Sequence, residues 1–256
     1  MNGNTKFSLV IVSLSLLSMA CSDIEPDMPD TECVINIDTF DFTFGIDYTD
    51  TLAYLKPGAQ SDLDEIYLQE VRNEIGTPEN SIEGILEFCH WMNQNFTFEN
   101  AGGGMVGKVD VNDLFETKEF YGCDSAALII SRTLRKFGFP AILIETFDVQ
   151  WAYDYHEGRV QTFAGHVMSE VFVEEKWILL DNNGMYVEEY DTSNPFIPIS
   201  GYSDDAYFVF AKGLDTWDYS ANNASFTHDQ LIFYSDNIYC FEEMFNTIHY
   251  SWRSKK

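Results

Sequence analysis

One segment constrains the fold more than any other: a loop that ends in Gly122-Cys123 and continues at once as a predicted helix. Cys123 falls in the first turn of that helix, where free backbone N–H groups and the helix dipole stabilise an anion. This position favours a reactive thiolate, although a cysteine in a helix can also be a small buried apolar side chain. The apolar positions of the helix follow the helical repeat: Ala126, Ala127, Ile130, Leu134 and Phe137. Gly138 ends the helix.

Two predicted strands downstream bring a histidine and an aspartate to one face of a sheet. Residues 165–173 have the β-branched, alternating pattern of a strand, and residues 177–181 return after a turn. A two-residue loop at 173–174 or 174–175 places His166 and Asp181 directly opposite each other or two residues apart. Both registers put the two side chains on the same face, whereas a three-residue loop would not. The parts of a Cys-His-Asp catalytic site are therefore present.

These segments resemble the transglutaminase-like superfamily of papain-type cysteine enzymes. The resemblance covers roughly residues 80–183, with three motifs in the expected order: Gly122-Cys123 to Pro140, His166 to Glu170, and Trp177 to Asp181. It implies an α+β fold in which the nucleophile helix packs on an antiparallel β-sheet. It also implies Cys123 as the nucleophile, His166 as base and acid, and Asp181 as the group that orients His166.

The sequence departs from the family pattern at two positions. The aromatic residue that commonly follows the histidine by two is Met168 here, and Asn182-Asn183 replaces the proline that usually follows the aspartate. Neither change removes a catalytic atom, but both bear on which substrate is bound and on the rate of the reaction.

Further residues are candidates for the site. Trp91 and Gln94, on a predicted upstream helix, could help to hold the oxyanion, although a structural role is the alternative. The backbone N–H of Cys123 is another donor, because amides at a helix start point toward developing negative charge. Aromatic residues near the catalytic segments are candidate substrate contacts: Tyr121, Trp151, Tyr153 and Tyr155. The last three lie within residues 148–164 and could equally belong to a lid packed on the body of the domain.

The N-terminus has the pattern of a bacterial lipoprotein signal peptide over residues 1–20. Lys6 precedes an apolar segment from Phe7 to Leu17, and Ala20-Cys21 is the cleavage point. Cys21 would then carry lipid, and residues 21–32 would form an acidic linker; a plain secretory signal with an unrelated cysteine is the alternative. The predicted location is the bacterial cell envelope, at the outer membrane or cell surface or in the periplasm.

Composition limits the partners of this chain. Its net charge of −28 repels nucleic acid and anionic lipid, so we expect membrane contact only through the lipid at Cys21. Apolar residues make up 45% and aromatic residues 16%, which predicts one globular domain over residues 33–256. No metal-ligand spacing occurs in the sequence, and we predict no metal and no cofactor.

Three cysteines remain once Cys21 and Cys123 are assigned. Cys89 lies on the apolar face of a predicted helix, so Cys33–Cys240 is the favoured disulfide outside the cytoplasm.

Local patterns predict further elements. Residues 33–37 and 39–44 alternate as one strand or a short hairpin. A helix capped by Ser61 or Asp62 runs to Ile75, with Leu63, Ile66, Val71 and Ile75 facing inward. The next helix starts at Thr77-Pro78, and its apolar stripe consists of Ile82, Ile85, Leu86, Cys89, Met92 and Phe96. The aromatic C-terminal segment is expected to cover a face or edge of the sheet.

The predicted reaction is cysteine-dependent acyl transfer at a peptide or protein amide through a thioester. Water as acceptor makes the chain a peptidase, amidase or deamidase, whereas a lysine amine makes it a cross-linking transglutaminase. A surface lipoprotein that binds peptide or glycan without catalysis, and a structural adhesin, are the alternatives from other classes.

Overall fold

A seven-stranded antiparallel sheet with helices on its faces forms the frame of this computed structural model. The model describes residues 34–99, 107–160, 165–198, 206–219, 224–245 and 250–254, and residues 33–256 form one compact unit. The expectations for the signal peptide, the linker and Cys21 lie outside the described residues. Within the described ranges, no helix is long and apolar enough to cross a membrane.

Helices and strands are interspersed along the chain. Apart from the short 3₁₀-helices, they are α1 (Glu65–Ile75), α2 (Ile82–Asn95), β1 (Thr97–Phe98), α3 (Val111–Thr117), β2 (Glu119–Phe120), α4 (Cys123–Lys136), β3 (Ala141–Asp148), α5 (Val149–His156), β4 (Gly165–Val173), β5 (Lys176–Leu180), β6 (Met185–Val187), β7 (Phe196–Pro198), β8 (Ala206–Gly213), α6 (Ala224–Ser235), α7 (Glu242–Phe245) and β9 (Trp252–Ser254). The strand order is β7-β8-β3-β4-β5-β6-β9, and β1 and β2 form a separate parallel pair.

Helix α4 lies against β3 and β4, and its residues from Asp124 to Arg135 are all buried. The apolar side chains of α1, α2, α3 and α4 share one core with β3, β4 and β5. Gly138, whose φ of 94° suits glycine, ends this helical segment as the sequence predicted. The predicted α+β class, with the cysteine-bearing helix packed on an antiparallel sheet, is confirmed.

The β4–β5 hairpin has one of the two registers that the sequence allowed. Val173 pairs with Lys176 across a two-residue turn, and Ser169 pairs with Leu180. Both turn residues, Glu174 and Glu175, have positive φ values of 50° and 64°, which matches the twist of a two-residue hairpin. In this register His166 and Asp181 lie two residues apart along the pairing, on the same face.

The aromatic C-terminal segment covers a face and an edge of the sheet, as predicted. Leu231 and Tyr234 of α6, with Ile238 and Phe241 after it, form a second core with Phe147 and Phe208. Strand β9 pairs with β6 at the end of the sheet.

Two predictions for the N-terminal part of the domain were wrong. Residues 34–44 form turns and a 3₁₀-helix (Ile37–Thr39) instead of a strand, because the side chains of Asn36 and Asp41 accept hydrogen bonds from nearby backbone N–H groups. In α1, Ile66 is 73% exposed, and the buried positions include Leu68 and Val71.

Helix starts also differ from the predicted positions. Helix α1 begins at Glu65, after Asp64, and not at Ser61 or Asp62. Helix α2 begins at Ile82, because the Ser81 hydroxyl accepts a hydrogen bond from the N–H of Gly84 at 3.1 Å and caps the helix there. The predicted apolar stripe of α2 is buried from Ile82 to Met92.

The cysteines divide into free and bonded residues. Cys89 and Cys123 are free, and Cys240 is disulfide-bonded to a residue outside the described ranges. The N–H of Val34 donates to Asn237 Oδ1 at 3.2 Å, and the Cys240 N–H donates to the Asn237 carbonyl at 3.0 Å. This proximity supports the Cys33–Cys240 pairing, which stays a prediction.

A buried ion pair anchors α4 to the segment after β8. Arg132 Nη2 and Asp215 Oδ2 are in direct contact, and their side chains are 1% and 0% exposed. Asp215 also accepts hydrogen bonds from the N–H groups of Gln60, at 2.7 Å, and Trp217, at 3.0 Å. The pair therefore holds α4 together with two separate loops.

We expect Asp215→Ala to lower the free energy of unfolding by about 3–5 kcal/mol, because Arg132 would remain charged and unpaired in the interior. Lys136→Ala serves as the control, since it breaks an exposed ion pair of the same helix with Asp62 at 2.7 Å and should cost at most about 1 kcal/mol. Denaturant unfolding measures both changes. Equal costs for the two variants would show that the buried pair does not hold the helix.

Candidate active site

The loop before α4 is fixed by short-range hydrogen bonds. The backbone N–H groups of Thr97 and Glu99 donate to the carbonyls of Lys118 and Phe120, each at 2.8 Å, in the parallel β1–β2 pair. The N–H of Tyr121 donates to Ser125 Oγ at 2.8 Å. Half-buried Cys123 is consequently held as the first residue of α4.

His166 and Asp181 meet as the hairpin register requires. His166 Nε2 and Asp181 Oδ1 are 2.8 Å apart, and the side chains are 21% and 14% exposed. Asp181 directly follows β5, where its N–H donates to the Met185 carbonyl at 2.7 Å and its carbonyl accepts from the Gly184 N–H at 3.0 Å. Gly184 has a φ of 78° and closes this turn.

The imidazole of His166 contacts the Asp181 carboxylate and interacts with the Cys123 thiol. Burial by itself lowers the pKa of His166, but hydrogen bonds with Asp181 and Cys123, together with their charges, outweigh burial and raise the pKa to about 10. Because Nε2 faces Asp181, Nδ1 is the ring nitrogen left for Cys123. The three residues predicted as a catalytic set thus lie together, with a protonated ring beside the sulfur at neutral pH.

Asn182 is a part of this site that the sequence marked only as a departure from a family pattern. Its backbone N–H donates to Asp181 Oδ1 at 2.6 Å, and its side-chain Nδ2 donates to the carbonyl of Cys123 at 3.1 Å. The turn after β5 therefore contacts the start of α4 directly.

Tyr207 is a second site residue that sequence reasoning missed. Its ring lies 5.4 Å from the His166 ring, centroid to centroid, at an interplanar angle of 32°. Tyr207 belongs to β8, which pairs with β3, which in turn pairs with β4. Only the strand order brings Tyr207 beside His166, so no local sequence signal could have found it.

The two side-chain candidates for the oxyanion site are engaged elsewhere, which corrects that expectation. Trp91 is 4% exposed, and its Nε1 donates to Glu74 Oε2 at 2.8 Å. Gln94 is exposed, and its Nε2 lies 2.8 Å from His90 Nε2. Neither group donates at Cys123 in this structure.

The aromatic candidates for substrate contact separate into two groups. Trp151, Tyr153 and Tyr155 lie on α5 and pack against the second core, with the Trp151 and Tyr155 rings stacked at 5.2 Å. These three side chains therefore pack on the body of the domain, and their contact with substrate stays a prediction. Tyr121 is half-buried two residues before Cys123, and its hydroxyl donates to Glu119 Oε2 at 3.2 Å; its contact with substrate stays a prediction.

Two buried carboxyl groups lie near the first turn of α4. Asp124 and Glu145 are 6% and 4% exposed. Burial, together with the charge of Asp124, raises the pKa of Glu145 to about 7, while a hydrogen bond from the Tyr219 hydroxyl at 3.1 Å opposes that rise. In the described part of the chain, no group of three or more His, Cys, Asp and Glu side chains could hold a metal ion.

A cavity of about 410 Å³ adjoins the turn after Asp181. Its lining residues are Leu86, Glu87, His90, Asn93, Asn183, Gly184 and Ser254. The lining thus includes two residues of the same turn but none of the three predicted catalytic residues.

Comparison with known proteins gives one distant structural likeness. No family model matches the chain, and no curated protein matches it. A crystal structure of a Cytophaga hutchinsonii protein that carries the provisional name of a cysteine protease is similar at a TM-score of 0.47 and 16% identity, over 69% of this chain. This chain spans half the length of that protein. A likeness of this size does not establish a family.

We expect the stabilising effect of His166 to depend on pH. Because its pKa rises from 6.5 to about 10 on folding, the contribution is complete below pH 6.5 and is lost as the pH rises through about 10. Between about pH 6 and pH 10.5, wild type should lose at least about 1.4 kcal/mol of unfolding free energy relative to His166→Asn, the equivalent of one pKa unit.

Denaturant titrations at the two pH values measure this difference. The control is His156→Asn, which removes a half-exposed histidine on α5, outside the site. A difference that does not change with pH would show that Asp181 and Cys123 do not hold the His166 ring protonated.

Proposed function

We propose that this protein is a cysteine-dependent enzyme of acyl transfer at amides, and that it hydrolyses a peptide or protein amide bond. One observation carries the proposal: the His166 ring lies 2.8 Å from Asp181 through Nε2, and its interaction with Cys123, at the start of a buried helix, is among the causes that raise its pKa. An imidazole held in this way can supply the thiolate and later return the proton.

The proposed reaction begins with attack of Cys123 Sγ on the carbonyl carbon of the amide. The C–N bond breaks as His166 protonates the leaving amine, and a thioester remains on Cys123. His166 then takes a proton from water, whose oxygen attacks the thioester carbonyl. The C–S bond breaks, the carboxylic acid leaves, and the thiolate–imidazolium pair returns. Asp181 keeps Nε2–H oriented throughout.

The oxyanion is assigned to the backbone N–H of Cys123. Burial raises the pKa of Asp124, and hydrogen bonding from the N–H groups of Ser125 and Asp124 opposes that rise. The first helical bond runs from the Ala126 N–H to the Gly122 carbonyl. The N–H of Cys123 is therefore the first-turn donor beside the sulfur, where negative charge develops on the substrate oxygen.

Water is the proposed acceptor because bacterial members of the family that the sequence resembles are more often hydrolytic. The proposed place of action is the cell envelope, with lipid at Cys21 as the anchor, which rests on the N-terminal sequence pattern.

Alkylation of Cys123 with iodoacetamide, followed against pH, tests the proposed chemistry. We expect rapid labelling below pH 7 and a decrease of at least about tenfold in His166→Ala, the change in thiolate fraction for one pKa unit. Peptide mapping assigns the label. Cys89 provides an internal control, because it is 1% exposed and burial, with the Asp181 charge, raises its pKa to about 12.

His156→Ala is the matched control variant, since it removes a histidine outside the site. The enzyme proposal fails if Cys123 labels like an ordinary thiol, with a midpoint at about pH 8.5, and if His166→Ala leaves the labelling rate unchanged. The peptide- or glycan-binding alternative then takes its place.

The acceptor is tested with a peptide-amide library in the presence and absence of a primary amine, and the products are read by mass. Hydrolysis gives cleaved or deamidated peptides in both conditions. Amine adducts as the main products would overturn water as the acceptor and favour the cross-linking transglutaminase. Cys123→Ala should abolish either set of products.

A further inference from the structure

Hydrogen bonds join Asp181, Asn182, His166 and Cys123 at the site through the residue Asn182. Asp181 Oδ1 accepts from the backbone N–H of Asn182 at 2.6 Å and faces His166 Nε2 at 2.8 Å. Interaction with Cys123 is among the causes that raise the pKa of His166. On the other side, Asn182 Nδ2 donates to the Cys123 carbonyl at 3.1 Å.

We propose that Asn182 is a positioning residue, which fixes the nucleophile Cys123 relative to the His166–Asp181 pair. The inference rests on the proposed function and adds the link between α4 and the turn after β5.

The orientation of the Asn182 amide follows from its partner. A carbonyl oxygen only accepts hydrogen bonds, so the NH₂ group must face the Cys123 carbonyl. The other end, Oδ1, is buried without a hydrogen-bond partner among the described residues. A buried acceptor without a partner is unfavourable, and the amide nevertheless keeps this orientation, which indicates that the bond to Cys123 determines it.

The two donors of Asn182 act on different parts of the site. Its backbone N–H holds the Asp181 carboxylate toward the imidazole, and its side chain holds the first residue of α4. Reaction rates are sensitive to displacements of about 1 Å at the reacting atoms. A proline, which the resembled family usually has at this position, has neither donor, so this chain supplies both through its departure from the pattern.

The test compares Asn182→Ala with Asn183→Ala. Asn183 is exposed in the same turn, where its Oδ1 accepts from the Met185 N–H at 3.0 Å, and it has no assigned contact with Cys123. The iodoacetamide labelling rate of Cys123 is measured between about pH 5 and pH 9, together with thermal unfolding of each variant.

We expect Asn182→Ala to slow labelling about threefold to tenfold at pH 6, the effect of one net hydrogen bond. Asn182→Asp should slow it more, because a carboxylate cannot donate to the Cys123 carbonyl and adds negative charge beside the thiolate. Near pH 9 the variants should converge with wild type, since an ordinary thiol is then largely ionised. Loss of folded structure would instead change the rate at every pH.

Matching profiles for Asn182→Ala and Asn183→Ala would overturn the inference. The proposed function would stand in that case if the wild-type profile still depends on His166, so the two failures are distinguishable. Asn182→Ser, whose hydroxyl is too short to reach the Cys123 carbonyl, replaces Asn182→Ala if the alanine variant does not fold, with the same expected slowing.

Discussion

The pairing register of the β4–β5 hairpin is the constraint on which the rest of the site depends. A two-residue turn with positive φ at Glu174 and Glu175 sets that register, and a shift by one residue would send His166 and Asp181 to opposite faces. With the observed register the imidazole and carboxylate are 2.8 Å apart. Strand pairing thus determines a polar contact that the two side chains could not secure alone.

The second requirement is that the helix which begins at Cys123 cannot shift relative to this hairpin. Helix α4 is buried along most of its length, and the Arg132–Asp215 pair connects it to the loops that contain Gln60 and Trp217. Apolar packing determines where the helix lies, whereas directional bonds at its start determine where Cys123 points. The short β1–β2 pair and Asn182 supply those bonds.

Much of the fold could be predicted because its signals are local. The helical repeat after Cys123 and the alternation in residues 165–173 each depend on neighbours a few positions away, and both elements formed as predicted. The signal failed where side chains bonded to nearby backbone groups, as at Asn36. It also failed where Pro78 suggested a helix start, because Ser81, three residues later, caps the helix that begins at Ile82.

Sequence alone determined the residue types of the proposed chemistry and the elements that carry them, because thiol, imidazole and carboxylate stood in segments with clear periodicity. Tertiary structure alone decided their surroundings: the tilted contact of the Tyr207 ring with the His166 ring, the bond from Asn182 to Cys123, and the bond from Trp91 to Glu74. These contacts join residues from separate elements, and their geometry follows from strand order and helix packing, which local sequence patterns do not encode.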